Sequence, residues 1–77
     1  MARSLPADPA LGSALRELRE ARNLSQESAS HAADITLGTY GKIERNEVAP
    51  AWATVRAIAA GFGISMRELG EAVDQQD

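Results

Sequence analysis

The segment from Thr36 to Asn46, TLGTYGKIERN, carries two cations three residues apart, Lys42 and Arg45. An ammonium group donates hydrogen bonds as a point charge and a guanidinium donates as a planar fork, so both suit phosphate oxygens and the acceptor edges of bases. At about 100° per residue, a helix places both cations on one side. Three further residues share that side: Leu37, Gly38 and Gly41. The pattern predicts a short helix that presents one face to a nucleic acid.

The opposite side of this helix is predicted to be buried. It carries Thr39, Tyr40 and Ile43, with Glu44 at its edge. Thr36 suits the N-cap because its hydroxyl can accept a backbone N–H, and Asn46 tolerates the left-handed conformation that ends a helix. We therefore expect the helix to begin after Thr36 and to end before Asn46.

Length and composition restrict what such a helix serves. The chain has 77 residues, no cysteine and one histidine, His31. A domain of this size has little room for an enzyme cleft, and thiolate zinc sites and disulfides are excluded. No apolar run approaches the roughly 20 residues of a membrane span, and the N-terminus has no signal-peptide pattern. We expect a soluble cytoplasmic protein that is not an enzyme, with no metal, no cofactor and no ligand-binding domain.

The net charge of −3 is unevenly distributed along the chain. Residues 1–64 carry seven Lys or Arg and seven Asp or Glu, whereas residues 65–77 carry Arg67 and four acidic residues. A neutral body with a basic face can bind phosphate, because local charge density governs counterion release. The alternative interpretation is a solvated acidic end on an ordinary domain.

Four more helices are predicted around this one, so the fold class is all-α. In chain order the helices are numbered 1 to 5, and the helix that follows Thr36 is helix 3. Asp8 and Pro9 form a helix-start signal for a helix that runs to about Arg22. Its inward residues are Leu11, Ala14, Leu15, Leu18 and Ala21. Ser25 caps a helix over residues 26–33, which a tight turn joins to Thr36. The domain is predicted to span residues 8–74, between a loose tail at 1–7 and a frayed end at 75–77.

The last two helices lie beyond Pro50. The fourth has no capping side chain and ends at Gly63, and Ser65 with Glu68 has the spacing of a capping box for the fifth. Because Ala29 and Ala33 fill little volume, the three aromatic residues are expected in the core: Tyr40, Trp52 and Phe62. Truncating Trp52 is expected to cost about 3 to 5 kcal/mol. An exposed platform for stacking bases is the alternative.

Residues 24–69 resemble the helix-turn-helix family of phage repressors and xenobiotic-response-element regulators. The resemblance rests on SQE at the start of helix 2, IER at the end of helix 3, Pro50 as the single proline of this segment, and FGIS before helix 5. It implies a five-helix, lambda-repressor-like domain whose helix-turn-helix is formed by helices 2 and 3. The length and the IERN ending also resemble small restriction–modification controller proteins, which are dimeric regulators of this family.

The resemblance also implies roles for individual residues. Gln26 and Arg45 match positions that contact phosphate, and Arg19 and Glu44 match an ion pair that ties helix 1 to helix 3. The groove-facing positions are Thr36, Leu37, Gly38, Thr39, Gly41 and Lys42. A leucine and glycines stand where relatives carry bidentate base readers, and Glu47 lies in a loop that is basic in many relatives. Lys42 is then the only long polar reader, so direct readout should be thin and affinity reduced.

The expected function is that of a transcriptional regulator, most simply a repressor, that binds double-stranded DNA as a homodimer on an inverted-repeat operator. Small residues on helices 4 and 5 are expected to form the dimer interface: Ala53, Ala57, Ala60, Gly70 and Val73. Two alternatives remain from the sequence. One is a protein-binding module, such as an antitoxin or a co-regulator, with weak or lost DNA binding. The other is a monomer with an alanine-rich surface.

Overall fold

The computed structural model describes residues 6–76, which form five α-helices and no strand. The helices are α1 (Pro9–Ala21), α2 (Gln26–Ala32), α3 (Leu37–Glu44), α4 (Trp52–Phe62) and α5 (Met66–Asp74). The predicted all-α class is therefore confirmed. Most of the expected N-terminal tail, residues 1–5, and residue 77 of the expected frayed end lie outside the described residues. None of these five helices is long and apolar enough to cross a membrane.

The helix starts follow the predicted capping residues. Asp8, Ser25 and Thr36 each accept a backbone N–H from the first turn of the helix that follows. Ser65 and Glu68 form the expected reciprocal capping box, with N···O distances of 3.1 and 3.0 Å. The connections after α1 to α4 contain Asn23, Asp34, Asn46 and Gly63, whose φ values are 55°, 58°, 63° and 73°. Local signals thus mark the starts of four helices, whereas α4 begins after Ala51 without a capping side chain.

The core gathers around the helix-turn-helix pair. Tyr40 and Ile43 of α3 are buried, and so are Ala29 and Ala33 at the end of α2. The other buried apolar residues are Ala14, Leu15, Ile58, Ala59, Phe62, Ile64 and Leu69. Ala21, predicted to be inward, is exposed at the last residue of α1. The buried side of α3 anchors it, which leaves the remaining side free.

The prediction that Trp52 fills the core is wrong, because 67% of this residue is exposed. The inward stripe of α4 consists of Val55, Ile58, Ala59 and Phe62, and Trp52 begins the helix outside it. Helices α2 and α4 are also too close to need a large side chain between them. A Cβ atom on Gly61 would lie 3.0 Å from the Cβ of Ala32. Small residues close the gap by contact, so truncation of Trp52 should not empty the core.

Candidate nucleic-acid interface

Four residues of α3 and the residue that follows it are exposed and form a surface that we call the α3 outer face: Leu37, Gly38, Thr39, Lys42 and Arg45. Periodicity placed Thr39 on the buried side, whereas the resemblance placed it among the groove-facing residues; it is exposed, and its backbone N–H donates to the Thr36 hydroxyl. Gly41 was expected in the groove, but it is buried. Its burial has a local cause, because Arg45 Nη1 lies 2.8 Å from the position that a Cβ on Gly41 would occupy. Gly41 therefore supports the surface and is not part of it.

The carboxylate of Glu44 fixes α3 to α1 on the side of α3 opposite this surface. Its side chain is buried, and Oε2 accepts from Arg19 Nε at 2.7 Å while Oε1 accepts from Arg19 Nη2 at 3.2 Å. Arg19 Nη1 also donates to the Leu24 carbonyl at 2.9 Å. This arginine therefore links α1, the loop after α1 and α3. The pair inferred from the family resemblance is in contact in the structure, and its geometry is bidentate.

The same network perturbs the ionisation of its members. Burial acts to raise the pKa of Glu44, but the hydrogen bonds from Arg19 and Gln26 outweigh burial and hold it below its ordinary value. The hydrogen bond to Glu44 raises the pKa of Arg19. Burial raises the pKa of Tyr40 and the neighbouring Glu44 carboxylate raises it further, while no hydrogen-bond partner for the Tyr40 hydroxyl lies among the described residues. At neutral pH the network is therefore a buried ion pair beside a protonated tyrosine.

The resemblance assigns a phosphate contact to Gln26, which also connects α2 to α3. Its Nε2 donates to Glu44 Oε1 at 3.0 Å, so part of its hydrogen-bonding capacity serves the interior. Gln26 is the first residue of α2 and is half-buried. The unpaired backbone N–H groups and the positive end of the helix dipole at this terminus favour an anion.

Arg45 follows the last residue of α3 and is already paired. Its Nε lies 2.6 Å from Glu47 Oε2, and half of each side chain is exposed. The hydrogen bond to Glu47 raises the pKa of Arg45, and the hydrogen bond from Arg45 lowers the pKa of Glu47. Of the two cations on the α3 outer face, only Lys42 has no carboxylate within 4.0 Å among the described residues.

Two participants in this region were missed by the sequence analysis. Glu47 was considered only as a substitute for a basic loop residue. Asn46, which lies between Glu47 and Arg45, is left-handed, and at this turn the two side chains pair. Arg16 lies 3.6 Å from Glu44 through its Nε, yet its side chain is half exposed. The spacing of Arg16 and Arg19 along one turn of α1 was a usable signal for a shared acidic partner.

The residues expected at a dimer interface have different environments. Ala53, Ala60 and Gly70 are exposed. Ala57 and Val73 are partly buried and pack against the core. The exposed side of α4 also carries Trp52 and Arg56, and we call Trp52, Ala53, Arg56 and Ala60 together the α4 outer face. This surface combines an indole, two methyl groups and one charge.

Comparison of the sequence with known proteins also indicates a helix-turn-helix domain. A helix-turn-helix family model matches residues 15–69. The HTH-type transcriptional regulator DdrOP3 of Deinococcus deserti is 33% identical over 60 residues, which cover 78% of this chain and 46% of that protein. The chain thus spans about half the length of this curated relative.

Solved structures agree with the fold. The restriction–modification controller protein C.AhdI from Aeromonas hydrophila superposes with a TM-score of 0.77 at 31% identity, covering 79% of this chain and 92% of that one. The controller C.Esp1396I, solved as a tetramer with its natural 35 base-pair operator, has a TM-score of 0.76 at 15% identity, with coverage of 87% and 93%. The chain therefore belongs to the helix-turn-helix family of DNA-binding transcriptional regulators, of the xenobiotic-response-element type that its sequence resembles.

Proposed function

We propose that this chain is a sequence-specific transcriptional repressor that binds an inverted-repeat operator as a two-fold dimer. The observation that carries the proposal is the α3 outer face, which is exposed along one side of a helix whose other side is anchored in the core. A face of this kind fits the major groove of B-DNA. Two copies related by a two-fold axis would sit about 34 Å apart, one helical turn of the duplex. Occupying that stretch of promoter would block polymerase sterically.

Within this surface, the residue types divide between reading bases and holding the backbone. Lys42 is the long donor on the exposed side of α3 and suits the acceptors of guanine. Leu37, of which 47% is exposed, offers an apolar contact for a thymine methyl group. Arg45 and the N-terminus of α2 at Gln26 suit phosphates. Direct readout then depends on few side chains, so a single protomer would discriminate weakly.

Substitutions of the two cations should separate these roles. Arg45→Ala should weaken binding to all duplexes alike, whereas Lys42→Ala should weaken binding and also reduce discrimination between sequences. The measurement is fluorescence anisotropy with a duplex selected from a random pool and with a scrambled duplex. Arg67→Ala removes an equal charge from α5, with its side chain 90% exposed, and serves as the matched control.

The alternative outcome has a distinct meaning. If the parent and both variants bind every duplex equally weakly, the α3 outer face is not a DNA-reading surface. A module that binds a protein partner, such as an antitoxin or a co-regulator, would then be favoured.

For the dimer we propose an interface centred on the α4 outer face, with Gly70 of α5 beside it. The exposed indole of Trp52 and the methyl groups of Ala53 and Ala60 lose little by leaving water, and aromatic residues are enriched at such interfaces. The partly buried Ala57 and Val73, from the original expectation, would lie at its edge. The controller C.Esp1396I forms a tetramer on its operator, and an assembly of more than one chain is proposed here by that analogy.

Trp52→Ser tests this interface. Sedimentation at micromolar concentration should give a two-chain mass for the parent and a one-chain mass for the variant. The free energy of unfolding of the dilute variant, measured by thermal unfolding, should differ from that of the parent monomer by no more than about 0.5 kcal/mol, because the residue is exposed. A parent that sediments as a single chain, both alone and with a selected duplex, would contradict the dimer.

A further inference from the structure

We propose that Glu47 limits the DNA affinity of this protein by holding Arg45 in a folded-back position, from which a phosphate must displace it. The inference rests on the proposed DNA-binding function and assigns a new role within it. Glu47 becomes a competitor of DNA that is built into the chain.

The first support is the geometry of the turn after α3. Arg45 and Glu47 flank Asn46, whose φ of 63° is left-handed. At this turn the two side chains meet, with Arg45 Nε 2.6 Å from Glu47 Oε2. A carboxylate oxygen and a phosphate oxygen accept from the same donors, so they cannot occupy this Nε–H at once.

The second support is the space beneath the guanidinium. Arg45 Nη1 lies 2.8 Å from the position that a Cβ on Gly41 would occupy, and Gln26 Oε1 lies 3.5 Å from that position. The absence of a side chain at Gly41 therefore lets the guanidinium rest against the backbone of α3. Glu47 holds one nitrogen of the fork while another lies over the helix, so the fork is directed along the protein surface.

The third support is the charge balance of the surface. The hydrogen bond from Arg45 lowers the pKa of Glu47, and the charge of Lys42 lowers it further, so this carboxylate interacts with both cations of the α3 outer face. Its negative charge offsets about half of the positive charge available there. Since an exposed ion pair is weak, DNA can displace it, and the penalty should be about two- to fivefold in Kd.

The test uses the full chain and a duplex selected from a random pool. Glu47→Gln keeps the size of the side chain and removes its charge. We expect Kd to fall by about two- to fivefold and the salt dependence, the slope of log K against log salt, to steepen by up to about one. Asp74→Asn is the matched control, because it makes the same charge change on the exposed side of α5.

A double variant separates displacement from simple repulsion. If Glu47 acts by holding Arg45, the gain from Glu47→Gln should disappear when Arg45 is already alanine. A gain that persists in the Arg45→Ala background, or that Asp74→Asn reproduces, would overturn the proposal. If the parent binds no selected duplex, the proposed function itself fails. If the parent binds tightly and Glu47→Gln has no effect, only the role proposed for Glu47 is overturned.

Discussion

The free energy of unfolding should fall by about 3 kcal/mol or more when Glu44 is replaced by alanine, because the substitution leaves Arg19 charged and largely buried without its partner. The same carboxylate accepts from Gln26, so a second donor loses its acceptor. In a domain of this size the change corresponds to a fall in Tm of roughly 12 °C or more. Circular dichroism during thermal and urea unfolding measures it.

The exposed carboxylate next along the chain provides the control. Glu47→Ala breaks an ion pair of similar length whose side chains are both half exposed, and it should leave the free energy of unfolding nearly unchanged, because solvent screens the pair. Equal effects of the two substitutions would show that burial of Glu44 contributes nothing to the strength of its pair.

Acid titration checks the same interaction without a mutation. In the folded state the pKa of Glu44 is held below its ordinary value of 4.5, so the folded protein binds the proton less readily than the unfolded chain does. The stabilisation is therefore fully present above about pH 5 and is lost as the pH falls through the folded-state value. The difference in stability between the parent and Glu44→Ala should accordingly shrink below about pH 4.5.

The second large effect is expected at Tyr40, which has no exposed surface and is the largest of the fully buried side chains. Tyr40→Ala should cost about 3 to 5 kcal/mol, because it removes a ring from the contact between α3 and its neighbours. Tyr40→Phe is the matched variant. Since residues 6–76 offer the hydroxyl no hydrogen-bond partner, its removal should change the free energy of unfolding by less than about 1 kcal/mol.

Urea unfolding of both variants decides the point. A loss with phenylalanine as large as that with alanine would mean that the hydroxyl, and not the ring, carries the stabilisation. Trp52→Ser should cost the monomer far less stability than Tyr40→Ala, since the Trp52 side chain lies outside the core. These three aromatic substitutions therefore distinguish the core that the structure shows from the one expected from the sequence.

Local features of the fold could be predicted well. Capping depends on side chains within one turn of the helix start, so Asp8, Ser25, Thr36 and Ser65 could be recognised from type and spacing. Asn46 and Gly63 likewise mark helix ends, because few residue types tolerate a positive φ. The pairing of Arg19 with Glu44 required the family resemblance, since 25 residues separate the two in the chain.

The errors concern distances between elements. Whether Trp52 is inside depends on how closely α2 approaches α4, and that separation is determined by contact between Gly61 and Ala32, which no periodicity reports. Whether Gly41 is exposed depends on the rotamer of Arg45. The pairing of Arg45 with Glu47 depends in turn on the backbone angle of Asn46. Helical periodicity assigns a residue to a side, but neighbouring side chains decide whether that side is covered.

Gly38 differs from Gly41, the other glycine of α3, because a Cβ atom at Gly38 would have no neighbour within 4 Å among the described residues. Leu37, Thr39 and Lys42 are likewise exposed, whereas Tyr40, Ile43 and Glu44 carry the packing. If the α3 outer face reads DNA as proposed, the residues that fold this short helix and the residues that contact the duplex are separate. A long side chain introduced at position 38 would then change operator preference without disturbing the packing of the helix. Replacing this glycine would also raise helix propensity, so the first step of such a change would strengthen the domain.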